Sequence, residues 1–84
     1  MTYLVFLFYL KFLESETEYR RVVKEFQYWE SVISKHPNFP DGYYNAAIIA
    51  AQLGEKEKAV GYLDRALEFD PDFTEARELE KQLK

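Results

Sequence analysis

The sequence predicts an all-α domain, and three observations carry that prediction. Apolar residues recur at three-and-four spacing along successive segments, clusters of Pro, Gly and Asp punctuate those segments, and outside part of the N-terminal run no stretch alternates with period two. With 84 residues the chain has room for one small domain, read here as residues 15–84 behind an apolar N-terminal segment at 1–14.

The N-terminal element is a run of eight apolar residues, Tyr3 to Leu10, continued past Lys11 by Phe12 and Leu13. The basic lead and small cleavage residues of a secretory signal do not flank it, since Met1-Thr2 precede and Glu14-Ser15-Glu16 follow. As a helix, residues 3–13 would cover about 16 Å against roughly 30 Å of hydrocarbon, so the run is short for a membrane span.

From Ser15 to His36 the apolar residues Tyr19, Val22, Val23, Phe26, Trp29, Val32 and Ile33 follow helical spacing, with Ser15 and Glu18 as a capping box and Pro37 as the stop. Pro37 to Gly42 reads as a turn. A second helix, about Asp41 to Leu53, is apolar almost all round, which requires cover on more than one side. Gly54 ends it, and a third helix carries Ala59, Val60, Leu63, Ala66 and Leu67. Asp70-Pro71-Asp72 breaks that helix. Asp72 with Glu75 reads as another capping box for a final charged helix striped by Phe73, Ala76, Leu79 and Leu83.

Composition narrows function. Fifteen acidic against eleven basic residues give a net charge of -4, and the scattered basic residues form no stripe for phosphates, which argues against nucleic acid. There is no cysteine, hence no disulfide or thiolate metal site, and the one histidine, His36, reads as a helix C-terminal residue. Glu14, Glu16 and Glu18 read as solvated charge, and Glu16 with Arg20 and Glu80 with Lys84 as surface pairs four apart. The sequence thus predicts no enzyme, cofactor or metal site and leaves localisation open between cytoplasm and membrane. Its distinctive feature is aromatic content, seven Phe, seven Tyr and one Trp, or 18%.

An offset of 34 residues aligns Trp29 with Leu63, Val32 with Ala66, Ile33 with Leu67, Pro37 with Pro71 and Phe39 with Phe73. That period is the mark of stacked helix pairs, and Pro40 to Pro71 resembles one complete tetratricopeptide repeat. Tyr43 takes the family's opening aromatic place, Ala46-Ala47 the large-small pair and Ala50 the next aromatic place. Ala59 and Ala66 take the small places, Leu63 the second-helix aromatic place and Pro71 the closing proline. Ala46 and Ala50 are smaller than the family's usual residues, which points to Phe26 and Trp29 as fillers of the space they leave. The resemblance extends over Ser15 to Lys84 as about one and a half repeats plus a capping helix, an array that needs a further neighbour.

The resemblance implies an antiparallel helix-pair solenoid that binds a protein or peptide on a groove wall carrying Asp41, Tyr44, Ile48, Ala51 and Gln52. Asn45 falls where a carboxylate-clamp asparagine would be, but Tyr44 and Ile48 replace the clamp's lysine and second asparagine, so an apolar ligand suits the wall better. The same five residues also read simply as core. For the N-terminal run three readings stand. Tyr3, Val5, Phe6, Phe8, Tyr9 and Phe12 form the association face of a homo-oligomer, or the run ends a transmembrane helix, or it folds back as a degenerate first helix. A seven-residue register through Val5, Phe12, Tyr19, Phe26 and Ile33 allows one helix from Tyr3 to His36, about 50 Å long, pairing with a copy of itself. A cap at Ser15 predicts a break instead.

Overall fold

The computed structural model describes residues 16–84, as four helices: α1 (Glu16–Lys35), α2 (Pro40–Gln52), α3 (Lys56–Phe69) and α4 (Thr74–Leu83). The association residues Tyr3, Val5, Phe6, Phe8, Tyr9 and Phe12, the cap at Ser15, the boundary at residue 14 and the question of helix continuity there lie outside the described residues.

Each helix boundary has a local cause. Pro40 occupies the first position of α2, where its missing N–H has no intrahelical partner to lose. The far end of α2 closes in a Schellman motif: the Glu55 N–H donates to the Ala50 carbonyl at 2.9 Å and the Gly54 N–H to Ala51 at 3.1 Å. Gly54 sits at φ 79°, a conformation that a side chain would oppose. The turn after α1 is then built again after α3. His36 N–H donates to Val32 at 2.8 Å and Asp70 N–H to Ala66 at 2.9 Å; Phe39 N–H donates to His36 and Phe73 N–H to Asp70, both at 3.1 Å. The offset of 34 seen in the sequence is one turn geometry used twice.

The capping box expected at Asp72 and Glu75 does not form. Asp72 lies inside the turn, its N–H held by the Asp70 carboxylate at 3.2 Å, and Phe73 takes the N-cap position without a side-chain bond. Arg77 reaches back to the Pro71 carbonyl and fastens the first turn of α4 to the loop.

Packing centres on α2, which contacts both α1 and α3, while α4 packs on α3. Ala46, Ala47 and Ala50 of α2, Ala59 and Ala66 of α3 and Ala76 of α4 are wholly buried, and Leu63, at 0% exposure, is the largest side chain completely enclosed. Small side chains at a helix crossing let the axes approach toward the short end of about 8–10 Å. The described residues form a slab with extents of 36 × 28 × 16 Å, about two helices thick. From α1, Val22 and Phe26 enter this core, whereas Trp29 only rests against its edge. Phe26 meets Tyr62 of α3 edge-on at 6.0 Å.

Tyr43 joins three parts of the molecule. Its hydroxyl donates to the Pro37 carbonyl at 2.8 Å, and its ring stacks on Phe69 of α3 at 5.9 Å and 16°. At the other side of α3, the Asp64 carboxylate together with burial pushes the Glu80 carboxyl of α4 above its usual range, while Lys84 at 3.6 Å pulls it back. An acid raised in the folded state contributes stability when protonated and loses it as pH rises, so the Glu80 charge opposes α4 docking at neutral pH.

Four substitutions test this account by chemical and thermal unfolding. Gly54→Ala lowers stability by about 1 kcal/mol, whereas Gly61→Ala, in helical backbone with open space at its Cβ, raises it by about 0.5–1 kcal/mol. Tyr43→Phe costs about 0.5–1.5 kcal/mol through the lost bond to Pro37. Asp64→Asn raises the melting temperature at pH 7, and the gain fades as the medium is acidified and Glu80 takes up its proton.

Candidate functional site

The apolar-all-round character of α2 resolves into two faces. One carries Tyr43, Ala46, Ala47 and Ala50, all buried against α1 and α3. The other carries the five predicted wall residues: Asp41 is exposed, and Tyr44, Ile48, Ala51 and Gln52 are half-buried. Asn45 shares that face and spends its amide on the Asp41 backbone carbonyl at 2.8 Å, one turn back. Tyr44 and Ala51 rest on the core along one edge, so neither description, wall or core, applies alone.

Opposite this face stands α4. The turn at Asp70 to Phe73 reverses the chain so that Phe73 lies beside Tyr44, ring centroids 5.0 Å apart, and α4 leaves from there. Between the two helices is an open cleft of about 310 Å³ lined by Tyr44, Thr74, Glu75, Glu78, Leu79 and Gln82. Of the predicted wall residues only Tyr44 lines it; Asp41, Ile48, Ala51 and Gln52 continue the α2 face beyond it. The α4 residues were not anticipated from the sequence. The available signal was the stripe Glu75, Glu78 and Gln82, which runs beside the apolar stripe Ala76, Leu79 and Leu83 at the same helical spacing.

A second feature lies at the α1 end. Phe73 is 9% exposed beneath Tyr44, but Phe39, its counterpart in the matching turn, is 41% exposed. Tyr28, at 61%, stands edge-on to Trp29 at 5.1 Å, and Tyr19 is also exposed. The inner side of α1 is better satisfied. Lys58 lies over the Phe26 ring at 5.1 Å, and Tyr62 donates to Glu30 at 3.4 Å, with burial and then the Glu30 charge raising the Tyr62 hydroxyl above its ordinary range.

Among the described residues no group of three histidine, aspartate or glutamate side chains is placed to hold a metal ion. No helix among them is long and apolar enough to cross a membrane. The arrangement offers contact surface: an aromatic and aliphatic cleft with an acidic side, and an end face with uncovered aromatic rings.

In comparison with known proteins, residues 40–73 match the family model described as Tetratricopeptide repeat, a span running from the first residue of α2 to the turn before α4. No curated protein and no solved structure matches the chain.

Proposed function

We propose that this chain, whose residues 40–73 are a tetratricopeptide repeat, is a non-enzymatic protein–protein interaction module that self-associates through its apolar N-terminal segment and α1. Contact with proteins or peptides is the general work of such repeats, and the self-association is the specific reading.

The observation that carries it is the inequality of two equivalent phenylalanines. Phe39 and Phe73 sit in turns with the same hydrogen bonds, yet Tyr44 covers Phe73 while Phe39 remains 41% exposed. Counting 34 residues back from Tyr44 reaches Leu10, within the apolar run Tyr3 to Leu13. A second copy is the better source of that run than the same chain. The turn at 53–55 corresponds to residues 19–21, and α1 is helical there, so the repeat's own hairpin is not available to fold the run back. In this reading Tyr3, Val5, Phe6, Phe8, Tyr9 and Phe12 of one copy cover Phe39 and the outer rings of α1 in the next. The α2 face around Tyr44 and Ile48 remains for a different partner.

Light scattering in detergent-free buffer tests this. A defined oligomer is expected, becoming monomeric on removal of residues 1–13 and weakened in the full chain by Phe39→Ser. Ill-defined aggregates that detergent or liposomes resolve would assign the segment to a membrane instead, and a monomer at high micromolar concentration would assign it to a fold-back within one chain. Either result overturns self-association.

A further inference from the structure

The cleft between α2 and α4 has a chemistry that its apolar floor alone does not express. Tyr44 and Leu79 supply ring and aliphatic surface, and at about 310 Å³ the cleft is at the small end of ligand pockets, suited to one or two side chains rather than a large cofactor. Its α4 wall carries Glu75 and Glu78, both exposed and both without an ion-pair partner among the described residues, and exposed Asp41 lies on the neighbouring α2 face. Among the described residues no lysine or arginine lines the cleft, and α2 contains none at all. Of the cations on α4, Arg77 holds the Pro71 carbonyl and Lys81, one turn beyond Glu78, does not line the cleft, while Lys84 after the helix pairs with Glu80.

We infer that the α2–α4 cleft takes a peptide in which an apolar side chain is flanked by lysine or arginine. The apolar side chain seats against Tyr44 and Leu79, and the flanking cations meet Glu75 and Glu78 on α4 and Asp41 on α2. Charge complementarity selects this occupant, because two carboxylates on one wall, neither of them ion-paired among the described residues, favour a positive ligand and penalise a negative one. The assignment rests on reading the α2 face as a partner-binding wall, and it replaces a purely apolar ligand with a basic one. It does not depend on the self-association proposed for the N-terminal segment.

Fluorescence anisotropy with three fluorescein-labelled octapeptides tests it on the full chain, the peptides alternating leucine with lysine, with serine or with glutamate. The lysine peptide is expected to bind about tenfold or more tightly than the glutamate peptide, the serine peptide falling between, with affinity declining as salt is raised. The exposed double substitution Glu75→Lys with Glu78→Lys is expected to reverse that order while leaving the helical circular dichroism unchanged. Equal binding of the three peptides, or a lysine preference indifferent to the double substitution, would overturn the basic-ligand inference. In that case loss of all binding in Tyr44→Ala would still sustain the wall. If no peptide binds, the wall reading fails together with the inference.

Discussion

How closely α2 and α3 can approach one another sets the form of everything else in this molecule. Alanines from both helices meet at the crossing with no solvent exposure, and Leu63 closes the space between them. Alanine loses no rotamer freedom on burial, so the seam costs little side-chain entropy to form. It also removes little apolar area per residue, and the larger side chains must make up the difference around it. They do so at the margins: Tyr43 stacks on Phe69, Phe26 meets Tyr62 edge-on, and Tyr44 lies against Phe73. Arg65 then covers the faces of Tyr43 and Phe69 at 5.7 and 5.3 Å. Six of the chain's fifteen aromatic residues thus form a rim around an alanine seam.

This division explains what could be read in advance. The helices, their order and the repeated turn follow from spacing and from Pro and Gly positions, because those features act through the local backbone. The alanines at 46 and 50 were anticipated to leave space for Phe26 and Trp29, and Phe26 does enter the core. Trp29 stays at the edge, packed against the core rather than within it. Asp72 resembled a helix cap by spacing alone. Asp70, two residues before it, captured its N–H first, and a pattern of letters does not rank two nearby carboxylates competing for one donor.

The binding surface was half legible for a related reason. The α2 wall could be placed because its residues fall on one face of one helix. The facing wall belongs to α4, whose charged character made it look like a cap and nothing more. Only the reversal of the chain at Asp70 to Phe73 turns Glu75 and Glu78 toward Tyr44, and that orientation is a tertiary fact. Likewise Phe39 and Phe73 are the same residue in the same turn by every sequence measure. Among the described residues, Phe73 has a helix-borne tyrosine beside it and Phe39 has none.

The 16 Å depth of the slab has a further meaning. Among the described residues, two layers of helices, each touching those near it in sequence, leave no element wrapped around the rest. Such a molecule comes apart in stages rather than at once: α4 can lift from α3, or α1 from α2, while the alanine seam stays shut. Whatever covers an end face therefore acts as a brace. Its binding free energy adds to the stability of the helix it covers, and that helix's reluctance to fray becomes a measure of how much partner is present.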